Sequence, residues 1–216
     1  MKKIAVVLSG CGVFDGAEIH EAVLTLLSID NNGAQYQCVA PNVWQRQVVN
    51  HLTQQMSDEM RNVLVESARI ARGEIKDIAT VKASDFDAAI FPGGLGAVTN
   101  LSDFAAQGEN CQLEASTLKF ARAMYDAKKP LGFVCISPVL AAQICDAGVK
   151  LTVGNDEEVS KKLKAMGATP EDCSADNIIV DDEHNIVSTP AYMLGKGPAE
   201  IYQGIEAMVR HILLVA

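Results

Sequence analysis

The chain has 216 residues, 49% hydrophobic and 21% charged, with a net charge of −9. That length suits one domain over residues 1–216, and the composition is that of a folded globular protein rather than a disordered one. The acidic balance lacks any Lys/Arg-rich run, which argues against a nucleic-acid or anionic-membrane partner, and no apolar run reaches the ~18 residues of a membrane span.

Lys3–Ser9 is a continuous apolar run closed by Gly10-Cys11-Gly12, the pattern of a buried parallel strand. Ala17–Asn31 carries helical spacing, with Ile19, Val23, Leu26 and Leu27 sharing a face and Gly33 just beyond the end. Gln35–Ala40 alternates and stops at Pro41, completing a strand–helix–strand unit. Met60–Arg72 reads as a helix ahead of Gly73, and Asp87–Phe91 as a strand stopped by Pro92-Gly93-Gly94. A helix over Leu113–Lys128 precedes a strand over Leu131–Cys135, a helix over Pro138–Ala147 and a short strand over Lys150–Val153. Asp156–Met166 is a mixed-charge helix. Ile178–Val180 and Ile186–Ser188 flank a polar hairpin turn, and Pro198–Val215 is a final amphipathic helix. Alternating strands and helices define an α/β fold with helices on both faces of a mostly parallel sheet.

The six cysteines are scattered, with no Cys-x-x-Cys pair and no zinc spacing, so they read as reduced thiols in a cytoplasmic protein that holds no metal. Cys135 stands apart. It ends a buried strand and opens a helix whose Pro138 suits the first turn, the strand–turn–helix of a nucleophile elbow. A helix N-terminus there favours the thiolate. Gly93 and Gly94 end a neighbouring strand, where flexible backbone can offer N–H groups to an oxyanion, with the Ile136 amide as partner. Glu18 and Glu21 open the first helix, and a carboxyl buried beside a thiol would be pushed towards protonation and general acid/base work. Cys11, in the glycine loop after the first strand, is a further candidate at the same sheet edge.

Taken together, Glu21, Phe91-Pro92-Gly93-Gly94 and Cys135-Ile136-Ser137-Pro138 resemble the ThiJ/PfpI superfamily of class I glutamine amidotransferase-like proteins. Leu8 to Glu21, Arg61-Asn62-Val63-Leu64, Ala97 to Ser102 and Thr189 to Met193 are similar to its ElbB-like group. The resemblance implies a flavodoxin-like three-layer sandwich, a homodimer, Cys135 as nucleophile, Glu21 rather than Glu18 as its carboxylic partner, and Gly94 and Ile136 as oxyanion donors. Gly93, Glu18 and Cys11 would line the substrate site. It also implies a cofactor-independent, glutathione-independent glyoxalase acting on a small aldehyde, with a redox-sensing or protective thiol, or an accessory role in isoprenoid biosynthesis, as alternatives. A glutaminase would need a late histidine, whereas here the strand leads into Ser188-Thr189-Pro190-Ala191. Residues 97–111 could form a lid or merely extend the surface, and Asn62 and Tyr192 could reach the cleft.

Overall fold

The structure is a computed structural model that describes all 216 residues. Eleven short strands and eight α-helices succeed one another as β1 (Lys3–Val7), α1 (Ile19–Asn31), β2 (Gln35–Ala40), β3 (Val48–Asn50), β4 (Gln55–Ser57), α2 (Val63–Ile70), β5 (Ile75–Asp77), β6 (Ala88–Phe91), α3 (Leu95–Thr99), α4 (Phe104–Gln107), α5 (Ala115–Asp126), β7 (Leu131–Val134), α6 (Pro138–Ile144), β8 (Lys150–Leu151), α7 (Glu157–Ala165), β9 (Thr169–Pro170), β10 (Ile179–Asp181), β11 (Ile186–Thr189) and α8 (Pro198–Val215). Seven strands make one sheet in the order β10-β11-β7-β6-β1-β2-β5, parallel throughout except for the edge strand β10. The α/β architecture expected from the sequence is the one observed, and it is flavodoxin-like.

Strand periodicity divides the core between the two faces. Ala5, Val7, Ala89, Phe91, Leu131 and Phe133 face one layer with α5 and α6 residues such as Phe120, Met124 and Leu140. Ile4, Val6, Ala88, Ile90, Val134 and Val187 face the other, under α1 and α8 residues such as Ala22, Ile205 and Met208. Phe91 and Phe133, on adjacent strands, stack with centroids 5.0 Å apart and both are fully buried. Just beyond them lie the strand ends that carry the chemistry.

Several elements depart from the sequence reading. The irregular polar stretch around His51 holds the hairpin β3–β4, and β5 adds an unforeseen edge strand. Lys150–Val153 contributes only β8, which pairs with β9 in a separate two-stranded sheet. Residues 97–111 are anchored rather than loose: Leu101, Phe104 and Cys111 are buried in the core and Asn100 donates to Ser9 O and Asp15 O, while Ala105–Gln107 lie at the surface. The expected stripe of α1 is split: Leu26 packs against the core, while its other three residues face outward. Ile19, Val23 and Leu27 are 41%, 46% and 43% exposed, whereas Glu21, Ala22, Thr25, Ser28 and Ile29 are buried. The small residues on the inner side pack α1 against α8.

The stacked pair generates a stability prediction. Phe133→Ala removes one ring and leaves a cavity beneath the strand ends, at a cost of roughly 3–5 kcal/mol. Urea denaturation should show the midpoint falling with little change in slope.

Candidate active site

Cys135 directly follows β7 with φ at 63°, a left-handed conformation that a non-glycine residue adopts at a cost on the order of 1–3 kcal/mol. Two contacts hold it there. Its amide donates to Thr189 O of β11 at 2.9 Å. Ser137 Oγ accepts from Val134 N at 2.8 Å and donates to Phe91 O at 2.7 Å, pinning the elbow to β6. The expected strand–turn–helix is therefore present, with Pro138 as the first residue of α6.

Beside the thiol lies Glu21, with no exposed surface. The Glu18 carboxylate caps α1 by accepting from Glu21 N at 2.8 Å. This separates the two acids: Glu18 starts the helix, and Glu21 points inward within hydrogen-bonding reach of Cys135. The outer ends of two strands then grip the Glu21 carboxyl, Gly93 N donating to Oε2 at 2.9 Å and Tyr192 N to Oε1 at 3.3 Å. Gly93 has no room for a side chain, since a Cβ there would lie 2.6 Å from both Cys135 Cβ and Glu21 Oε2. Gly94 sits at φ 93°, and a Cβ on it would meet Glu18 N and Gly16 O at 2.4 Å. The glycines after β6 therefore admit the first helix and the thiol to the same point.

The Ile136 and Gly94 amides lie close enough to Cys135 to favour its ionised form, and amides so placed can serve as donors to an oxyanion on the sulfur's partner carbon. No cation offsets the buried acids. Burial, then the Glu18 charge, push the Glu21 pKa up to about 8 against the pull of the two amides and the thiol. Burial and the neighbouring Glu21 likewise hold the Cys135 thiol well above its ordinary value, despite the two amides. This corrects the expectation of a thiolate favoured by the helix N-terminus. Desolvation and a carboxyl neighbour outweigh the few amides of a seven-residue helix, and the thiol itself is only 8% exposed.

Other expected residues lie elsewhere. The half-buried Cys11 is raised by burial and feels Glu66, Arg69, Asp15 and Arg61, a set that includes neither Cys135 nor Glu21. Asn62 caps α2 and donates to Asn42 rather than reaching the cleft. Tyr192 does reach the site, through its main-chain amide, and its hydroxyl bonds His20 Nδ1 at 2.8 Å. His51 is engaged with Phe14 N and Val49 O, and His184 with Asp181. No group of three or more His, Cys, Asp or Glu side chains is placed to hold a metal ion. No helix is long and apolar enough to cross a membrane.

A cysteine elbow, a carboxyl from the first helix and glycine amides on a flavodoxin-like sheet define the class of glutamine amidotransferase-like thiol proteins. No protein-family model matches the chain. It is 44% identical over 221 aligned positions to the human "Glutamine amidotransferase-like class 1 domain-containing protein 3, mitochondrial", covering 98% of this chain and 82% of the relative. It is 34% identical over 229 positions to the zebrafish (Danio rerio) "ES1 protein, mitochondrial", covering 97% of this chain and 84% of that one. The crystal structure of an isoprenoid biosynthesis protein with amidotransferase-like domain from Ehrlichia chaffeensis superposes with a TM-score of 0.92 at 38% identity, covering 99% of this chain and 100% of that one. Glyoxalase III from Candida albicans shares the fold with a TM-score of 0.63 at 15% identity over 99% of this chain and 96% of that one. The chain belongs to the family of the ES1 and glutamine amidotransferase-like class 1 domain-containing proteins.

The Glu21 environment predicts a pH signature in stability. Its folded pKa lies above the unfolded value of 4.5, so its stabilising contribution is complete below pH 4.5 and is lost as pH rises towards about 8. Relative to Glu21→Gln, the wild type should lose on the order of 1 kcal/mol per pH unit across that window and run parallel above it. Denaturant titrations at a series of pH values read this directly, and parallel curves throughout would refute it.

Proposed function

We propose that this chain is a cofactor-independent, glutathione-independent glyoxalase that converts glyoxal to glycolate or methylglyoxal to lactate. One observation supports this above the others: the strained Cys135 elbow abuts the buried Glu21 carboxyl, which the Gly93 and Tyr192 amides hold in place and which burial pushes up to about 8. A protonated thiol and a protonated acid suit addition to a neutral aldehyde. The sulfur bonds to the aldehyde carbon, the C=O electron pair takes a proton relayed through Glu21, and the thiol proton replaces it on the carboxyl, giving a hemithioacetal. The Glu21 carboxyl then gives its proton to the C2 oxygen while its other oxygen takes the C1 proton, forming an enediol, and it delivers that proton to C2 as the C1 hydroxyl proton passes back to the carboxyl, leaving a thioester of the 2-hydroxy acid. Water cleaves that thioester, returning the thiol and releasing the acid, with no external oxidant or reductant. The Candida albicans protein named glyoxalase III has the same fold, which is compatible with the reading.

Gly93 and Glu18 would shape the site around the pair, Gly93 by leaving space and Glu18 by fixing the start of α1. The main alternative, a redox-sensing or protective thiol, is disfavoured because burial and the neighbouring Glu21 outweigh the nearby amides and hold the Cys135 thiol protonated. An accessory role in isoprenoid production is supported by the name of the Ehrlichia protein. The compartment proposed from the sequence is the cytosol, although the human and zebrafish relatives carry mitochondrial in their names.

Methylglyoxal loss and lactate formation, followed without glutathione or added metal, should be catalytic in the wild type. Cys135→Ser and Glu21→Gln should each lower kcat at least 100-fold, the scale of losing a nucleophile or its acid/base partner. Lactate no faster from the wild type than from the variants would refute the glyoxalase reading.

We also propose a homodimer, with the exposed Ile19, Val23 and Leu27 stripe of α1 facing the same stripe of a second copy about a two-fold axis. Sedimentation should give a dimer for the wild type and a monomer for Val23→Glu combined with Leu27→Glu. A monomeric wild type would refute it.

A further inference from the structure

Glu21 is held by amides from two strand ends, and the two are not equally secure. Gly93 belongs to a turn locked by glycine packing, whereas Tyr192 follows Ala191 in the turn after β11. Ala191 is fully buried with φ at 41°, a left-handed conformation that alanine keeps only when its surroundings impose it. The Ala191 carbonyl accepts from Gly195 N at 2.8 Å, which shapes the turn from within. Besides its amide on Glu21, Tyr192 ties the turn to α1 through its side chain, whose hydroxyl meets His20 Nδ1 at 2.8 Å with the rings tilted and 5.8 Å apart. His20 is the residue next to Glu21. One helical turn thus presents both the carboxyl that accepts the Tyr192 amide and the imidazole that holds the Tyr192 ring. The contacts form a closed ring from Glu21 Oε1 through the Tyr192 amide and phenol to His20 and back along the chain.

We propose that His20 and Tyr192 form a latch that positions the Tyr192 amide on Glu21 and thereby sets the proton affinity of the Cys135–Glu21 pair. Both are positioning residues. The inference rests on Cys135 and Glu21 being the working pair, but it does not require aldehyde turnover. The titratable groups facing Glu21 are Glu18 from its own helix cap, Cys135 from the end of β7, and Tyr192 and His20 of the latch; β6 contributes only the Gly93 amide. The Tyr192 amide favours the ionised carboxylate, so a slack turn leaves the carboxyl protonated to higher pH.

The protonated Glu21 carboxyl can be followed by its infrared C=O stretch against pH, assigned as the band absent from Glu21→Gln. Tyr192→Phe and His20→Ala should each move its midpoint upward by at least half a pH unit, about a threefold change in proton affinity. Their effects should not add in the double variant, because either one opens the same ring. His20→Asn, which offers an acceptor near the Nδ1 position, should titrate close to the wild type. His20 is exposed, so His20→Ala carries the test if Tyr192→Phe folds poorly. Superimposable titrations for His20→Ala and the wild type would overturn the latch. Because the band is read without substrate, that result stays separate from a failure to form lactate.

Discussion

A carboxyl with no exposed surface and no neighbouring cation is expensive to ionise, and the Glu21 carboxyl is where the parts of this site meet. It is delivered by α1, gripped by amides at the ends of β6 and of the turn after β11, and set against the thiol that follows β7. Each of these elements is placed by the parallel sheet, whose strand ends open to one side, as ligand sites do in α/β sheets. The strained Cys135 elbow, the absence of a side chain at Gly93 and the inward rotation of α1 all serve the approach of one acid to one sulfur.

Much of this was legible in the sequence because it depends on local signals. The apolar run Leu131–Val134 followed by Cys135 and a proline at the first helical position gives strand, turn and helix without reference to the rest of the chain. The glycine pair after Phe91 is readable for the same reason, since only glycine fits the backbone there. The seven-stranded sheet follows from alternating periodicities, apart from β5, a three-residue edge strand with too little pattern to register.

What escaped the sequence depends on side chains and amides brought together across the fold. The Tyr192 amide is a main-chain donor and leaves no trace in residue type, and the His20 contact spans 172 positions. The direction of the α1 stripe was not readable, because periodicity shows that apolar residues share a face without showing which way the face points. Here the buried side carries Glu21, Thr25 and Ser28 instead. The thiol's electrostatics were misjudged for a related reason. A helix N-terminus is visible in sequence, but the depth at which Cys135 sits and the proximity of a carboxyl are properties of the packed protein.

The first helix has a wider consequence for how such a chain can drift. Its inner side carries the acid and its outer side the apolar stripe, and the two are locked in register by the helical repeat. Gaining or losing one residue between Glu18 and Leu27 would swing everything beyond it by about 100°. The acid would leave the thiol, or the stripe would turn into the body of the protein, or both. Point substitution can explore either side of this helix separately, but a change of length in its first half cannot, so that segment should keep its length in any lineage that retains the chemistry.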